Sequence, residues 1–317
     1  QYATIATDPA DLSTAFTSTE RAMVSAKVLE KCDALDGAKD GIVQDTAACQ
    51  ANFDFQRDIP SCSGARDGSC LTPAQKTAIA PIFSGAVDSK GNKFYASFPF
   101  DTGHNAADSS FWEFFVSTNI DPAMTAMTWG SPPVSPTGFS APAFALNTPI
   151  DTMLTSVAAT SGVYTESGLA FMQPVNPTNL ATLKQRGAKV MVYHGVSDPI
   201  FSSNDTASWY EGLRTNNSGD ASNFARYYPV PGMSHCGMGP ATDQFDMLTP
   251  LVNWVEKGQA PDKVIAQARG AGNAAGANLE LPASWSANRT RPLCAYPKVA
   301  RYNGTGDIES ASSFSCK

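Results

Sequence analysis

RGAKVMVYHGVSDPIF, residues 186–201, and FARYYPVPGMSHCGMGP, residues 224–240, decide how this chain folds. After the polar RGAK, the run VMVYHG is short, apolar and rich in β-formers, and it ends at Gly195. Such a run reads as a buried strand of a parallel sheet, where both faces are covered and in–out alternation is lost. A helix is expected from about Thr206 to Thr215, with Trp209, Tyr210 and Leu213 on one side. A second strand, FARYYPV at 224–230, is closed by Pro231-Gly232, and DMLTPLVNWVEK at 246–257 makes another amphipathic helix. Strand, helix, strand, helix is the rhythm of a doubly wound sheet, so the fold class is α/β.

The chemistry-bearing residues fall just after those strands. The chain has only three histidines, His104, His194 and His235. Imidazole is the usual general base near neutral pH. His235 sits on a Gly-bracketed loop after the second strand and is the candidate base. His194 lies inside the first strand and reads as a core or hydrogen-bonded histidine. His104 stands in a polar loop, where a solvated role is the default. Asp198 follows the first strand in HGVSDPIF; alone it reads as a turn former before Pro199. Strand, Asp, helix, strand, His is nevertheless the order of the α/β-hydrolases, in which the acid precedes the base and both follow the nucleophile. In that setting Asp198 orients the imidazole and supports it when it takes a proton.

A nucleophile is not legible. The G-x-S-x-G elbow needs glycine on both sides of the serine's strained turn. GMSHC around Ser234 lacks the second glycine, Ser197 in GVSDP fails the pattern, and Ser63 in SCSGA has neither glycine and follows no strand. The hydrolase order sets the serine upstream of Gln1.

Composition narrows the classes. The chain is 42% apolar and 16% charged with net charge −7, and its Lys and Arg are scattered singly, which argues against nucleic-acid partners. Seven cysteines are many for a cytosolic enzyme and are not spaced as zinc pairs. Cys32/Cys49, Cys62/Cys70 and Cys294/Cys316 each enclose a local loop, which suits disulfides made in an oxidising compartment. Sequons at Asn204, Asn216, Asn288 and Asn303 agree with a secreted glycoprotein. No signal peptide is present, and no apolar run approaches the ~20 residues that span a bilayer. Gln1 therefore reads as an internal or processed start.

TERAMVSAKVLEKC at 19–32 reads as an amphipathic helix capped by Ser18 or Thr19. The stretch 50–180, with GSPPVSPTGFSAPA at 130–143, shows no strand alternation and is expected to form short helices and ordered loops of an inserted subdomain. Between them CDALDGAKDGIV (32–43) crowds Asp33, Asp36 and Asp40 into eight residues. Three carboxylates this close repel unless a cation neutralises them; Ca²⁺ with carbonyl ligands is one reading, a solvated acidic turn the other.

The pairing of HGVSDPIFSSNDT with PGMSHCGMGPATDQFDMLTPLVNWVEKG resembles the tannase and feruloyl esterase family, which includes terephthalate-monoester hydrolases. The resemblance runs along essentially the whole chain. It implies the carboxyl-terminal part of an α/β-hydrolase core with a large inserted lid: core at 1–42, lid at 43–183, and core again at 184–317 with the acid on Asp198 and the base on His235. In the family a cysteine precedes the nucleophilic serine and a second follows the histidine, and the two form a disulfide. By that analogy six cysteines pair locally, and Cys236 is left for an amino-terminal segment or chain that carries the Cys-Ser elbow. The family's lid calcium site falls on the side chains of Asp33, Asp36 and Asp40 and the carbonyls of Ala38 and Ile42, with a structural role.

The implied activity is secreted serine ester hydrolysis of small aromatic esters through an acyl-enzyme. The lid aromatics Phe94, Tyr95, Phe111, Trp112, Phe114, Phe115, Trp129, Phe139 and Phe144 could clasp the acyl group, although FWEFF reads first as a helix packed into the lid core. No Arg lies between Arg66 and Arg186 to hold a ring carboxylate. Hydroxycinnamoyl esters are therefore expected first, with galloyl esters (a tannase) and terephthalate monoesters as alternatives. The rival from another class is a non-catalytic secreted calcium-binding module. Three scattered histidines offer no metallohydrolase ligand set.

Overall fold

A computed structural model describes residues 1–8 and 11–317. The first long element is α1 (Ser18–Cys32). Its cap is Thr17, not Ser18 or Thr19: the Thr17 side chain accepts from Glu20 N, and the Glu20 carboxylate accepts from Thr17 N. The capping box explains the shift. Only Thr17 has an acidic residue three places on, whereas Ser18 and Thr19 are followed by Arg21 and Ala22. Glu20 is fully buried and also pairs with Arg66, tying α1 to the loop before α2 (Pro73–Ser84).

From 43 to 183 the described residues form short helices and loops without a strand. Phe16 and Val28 from the α1 side pack with Val43, Phe53, Phe55, Ile59, Leu71 and Phe100 into one apolar core. Disulfides Cys32–Cys49 and Cys62–Cys70 staple this region, and Cys294–Cys316 closes the carboxyl end. Cys236 is free and exposed.

The remainder is mixed α/β. β1 (Val190–Gly195) and β2 (Ala225–Val230) pair in parallel, in register from Val190 with Ala225 to Gly195 with Val230. The crossover is α3 (Ser203–Asn216), which starts three residues before the expected Thr206 because Ser202 accepts the Asn204 N–H and caps it. Tyr210 and Leu213 from α3 pack on Phe224, Ala225 and Tyr227. α4 (Leu248–Lys257) follows. β3 (Lys263–Gln267) with β4 (Thr290–Cys294) and β5 (Ala300–Tyr302) with β6 (Phe314–Cys316) are antiparallel pairs absent from the sequence reading. β3 alternates exposed and buried positions, with Val264 and Ala266 facing Tyr228, Val230 and Leu293.

β1 is not the fully covered strand that its composition predicts. Tyr193 is about half exposed, and among the described residues β1 pairs with β2 alone. α4 likewise buries Trp254 and leaves Leu248 and Val255 open. Among the described residues no helix is long and apolar enough to cross a membrane. Of the sequon asparagines, Asn204 and Asn216 have their amides engaged, on Ser97 and Thr178.

Candidate active site

The parallel register brings the ends of β1 and β2 together, and with them the loops that follow. Gly195 makes this close approach possible: a Cβ there would lie 2.4 Å from the Met233 carbonyl oxygen. Asp198 and His235, 37 residues apart, meet with Oδ2 2.8 Å from Nδ1. With Asp198 ionised, Nδ1 holds the proton and Nε2 is the basic atom. Both N–H groups of Ile200 and Phe201 donate to Asp198 Oδ1, at 2.8 and 2.9 Å.

His194 belongs to the same cluster. Its Nε2 is 3.3 Å from the Asp198 Oδ2 that meets His235, and its Nδ1 is 2.7 Å from Thr206 Oγ1. Reading it as a hydrogen-bonded histidine of the strand was correct in kind but missed the partner. The signal was the spacing, since a turn after Gly195 folds position 198 back toward 194. Burial pushes the Asp198 carboxyl up, but hydrogen bonds from His194, the Phe201 N–H, His235 and the Ile200 N–H outweigh it and hold the group below the usual carboxylate range. Its contribution to stability is therefore complete above the unfolded carboxylate pKa and is lost as pH falls through the lower folded value.

The loop that carries His235 is strained. Gly232, Cys236, Met238 and Gly239 all have φ between +62° and +75°. Backbone clamps hold it in place. Asp101 Oδ2 accepts the Gly232 N–H at 2.7 Å, and Asp243 Oδ2, paired with Arg269, accepts the Met238 N–H at 2.9 Å. Desolvation raises the buried Asp101 carboxyl, against hydrogen bonds from Gly232 and Thr102. Gly103 N donates to Ser197 Oγ at 2.8 Å, and a Cβ on Gly103 would stand 2.4 Å from the Gly232 oxygen, so only glycine fits between the Asp198 and His235 loops. Neither nearby serine is available as a nucleophile. Ser197 is engaged with Gly103, and the buried Ser234 points to Ser109, Oγ to Oγ 3.1 Å.

Aromatic rings flank His235. The Trp112 centroid lies 4.2 Å from the His235 ring and that of Phe201 lies 5.6 Å away. The expectation that FWEFF packs into a core fails for Phe111 and Phe115. The segment forms a π-helical turn, Phe111–Val116, with Phe111 and Phe115 stacked on each other and each half exposed. Phe114 packs on Tyr2 and under the Arg21 guanidinium. His104 is half-buried rather than solvated, with Nε2 3.2 Å from the Pro99 carbonyl.

The acidic loop is ordered by its own backbone. Asp33 Oδ1 accepts the N–H groups of Asp40 and Gly41, Asp36 Oδ1 that of Ala38, and Asp40 Oδ1 that of Ile42. Asp40 Oδ2 pairs with the buried Arg291. Asp36 Oδ2 is buried without a hydrogen-bond partner. Burial raises the Asp33 carboxyl, and burial with the Asp40 and Asp33 charges pushes Asp36 up to about 7. Among the described residues no three His, Cys, Asp or Glu side chains converge as a metal-ligand group. A hard cation nevertheless fits the chemistry of Asp36: an orphaned carboxylate oxygen on which the Asp33 and Asp40 charges also act.

An α/β chain with a carboxylate and an imidazole joined at the ends of neighbouring parallel strands has the layout of an acid–base pair. The chain belongs to the tannase and feruloyl esterase family, which it matches over residues 4–317. It is 37% identical over 332 residues to the mono(2-hydroxyethyl) terephthalate hydrolase of Piscinibacter sakaiensis, covering 96% of this chain and 53% of that protein. To the probable feruloyl esterase B-1 of Neosartorya fischeri it is 27% identical over 337 residues, with 98% and 56% covered. An esterase from Aspergillus oryzae superposes with a TM-score of 0.61 at 22% identity, covering 95% of this chain and 57% of that one. Tannin acyl hydrolase from Aspergillus niger gives 0.60 at 20% identity, covering 95% and 53%. At these identities the structural likeness speaks for the fold alone. The chain spans about half the length of the curated relatives it matches.

Proposed function

We propose that this chain is the acid–base half of a secreted serine esterase for small aromatic esters, with Asp198 as acid and His235 as base. The observation that carries the reading is the 2.8 Å contact between Asp198 Oδ2 and His235 Nδ1 at the strand ends, in a member of this family. In this mechanism the serine comes from an upstream segment, linked through Cys236 to the cysteine beside it. The exposed position of Cys236, one residue from the base, supports that link, as do the open Tyr193, Leu248 and Val255 that further chain would cover. His235 Nε2 takes the serine proton as its oxygen attacks the ester carbonyl, and then returns it to the departing alcohol. Water repeats the cycle on the acyl-enzyme. Asp198 stays ionised throughout and compensates the imidazolium.

The helical region 43–183 serves as the lid, and Trp112 beside the base supports a planar acyl group. Calcium, when bound, supplies structural charge neutralisation through Asp33, Asp36 and Asp40 and the Ala38 and Ile42 carbonyls. Three disulfides support secretion.

Two observations pull the acyl preference apart. The 37% relative is named for a terephthalate monoester. Against it, residues 67–185 contain no Arg, and Arg21 is engaged with Glu113. Hydroxycinnamates therefore rank first, galloyl esters and terephthalate monoesters after them. Hydrolysis of methyl ferulate, methyl caffeate, methyl gallate and a terephthalate monoester by the serine-bearing enzyme tests the ranking. Methyl ferulate is expected to give the highest kcat/KM, and a preference for the terephthalate monoester would overturn the ranking. No turnover of any of the four would remove the esterase reading.

A further inference from the structure

Glu280, on the loop between β3 and β4, accepts hydrogen bonds from two backbone amides far apart in sequence. Its Oε2 takes the Gly239 N–H at 2.6 Å, and its Oε1 takes the Asp108 N–H at 2.9 Å. Gly239 lies four residues beyond His235, on the strained loop that presents the base. Asp108 stands four residues before Trp112, and its Oδ2 accepts the Trp112 indole N–H at 3.1 Å. The indole returns to the start, 4.2 Å from the His235 ring. One half-buried carboxylate thus closes a circuit from base loop to aromatic wall and back to the base.

The neighbouring residue strengthens the grip. Asn278 Nδ2 donates to the Gly239 carbonyl at 2.8 Å while its Oδ1 accepts the Glu280 N–H at 2.9 Å, so Gly239 is held on both sides. The other carboxylates on the loop do different work. Asp101 reaches Gly232 at its start, and Asp243 holds Met238 together with Arg269; neither touches the turn that carries Trp112. A carboxylate that accepts two amides forms two charge-assisted bonds, each stronger than a neutral one. An amide in its place accepts at one end and sets an N–H against an N–H at the other.

We propose that Glu280 is a positioning residue that sets where the Trp112 wall stands relative to the His235 base, and through it the enzyme's preference for planar aromatic acyl groups. The specificity part rests on the esterase reading; the positioning part does not. Two measurements keep them apart. The first is NMR on the full-length protein, where the Trp112 ring current acts on the His235 Cε1 and Cδ2 protons. Glu280→Gln and Trp112→Ala are expected to move these signals in the same direction, and the double variant no further than Trp112→Ala alone. Glu280→Asp, which keeps the charge but shortens the reach by one methylene, is expected to do the same, and stands in if the amide variant fails to fold. Unmoved His235 signals in a folded Glu280 variant would overturn the proposal.

The second is kinetics in the serine-bearing enzyme. Misplacing a substrate-facing wall by a fraction of an ångström to an ångström is expected to cost about ten- to a hundredfold in kcat/KM on methyl ferulate in Glu280→Gln. Methyl acetate, which has no ring to place, is expected to change by less than about twofold on the same grounds. An equal fall for both esters would mean that Glu280 merely supports the fold, and would overturn the specificity role. Failure of the wild type on both esters would sink the esterase reading while the NMR comparison still decides the position of Trp112.

Discussion

His235→Ala is expected to abolish ester hydrolysis by the assembled enzyme, with kcat falling on the order of 10⁴-fold or more, while the protein still folds. The size follows from the role. Without an imidazole at this place the serine hydroxyl has no base, and the leaving alcohol has no acid. Folding survives because the base loop is held by its backbone, through Asp101, Asp243 and Glu280, and not by the imidazole. Asp198 keeps its two backbone N–H donors and His194. The comparison is the rate of methyl ferulate release by wild type and variant, with thermal unfolding run alongside. Retained turnover would remove His235 from the role of base.

Removing calcium from the proposed site is expected to have the second large effect. Asp36 has a buried oxygen with no partner and a carboxyl raised to about 7, beside Asp33 and Asp40. A cation there relieves both the repulsion and the desolvation, so its binding energy adds to folding. A ligand present at a hundredfold its Kd stabilises the folded state by about 2.7 kcal/mol. In a chain of 317 residues, at about 2.1 cal/mol/K of unfolding entropy per residue, that corresponds to roughly 4 °C in Tm. Chelation is therefore expected to lower the Tm by that order. The chemical step is expected to change little, because the proposed ligands all come from the protein and would leave little open coordination. An unchanged Tm after confirmed metal loss would count against the site.

Much of this was legible from periodicity and spacing. β1, α3, β2 and α4 sit within a few residues of their expected places, because each is a short run whose apolar pattern and turn residues agree. Asp198 and His235 come together because both follow strands of one parallel pair. β3 to β6 were not legible: KVIAQ and TRPLC are five residues each and become strands only by pairing with each other. Trp112 could not be singled out among the rings of FWEFF, because its place beside His235 depends on a contact between segments far apart in sequence. Glu280 and Asp101 carry no local signal at all. Each acts through a backbone amide supplied by a segment more than forty residues away or by the base loop, and amides are invisible to residue-type reasoning.

In the proposed mechanism Asp198 and His235 serve a serine whose neighbouring cysteine is joined to Cys236. The most direct measurement is a non-reducing peptide map of the active enzyme after labelling with a fluorophosphonate, which modifies only an activated serine. The account predicts one labelled serine, with the cysteine immediately before it disulfide-linked to the peptide that contains His235 and Cys236. A free Cys236 thiol in an enzyme that still hydrolyses methyl ferulate, or a label on a serine remote from any cysteine, would contradict it.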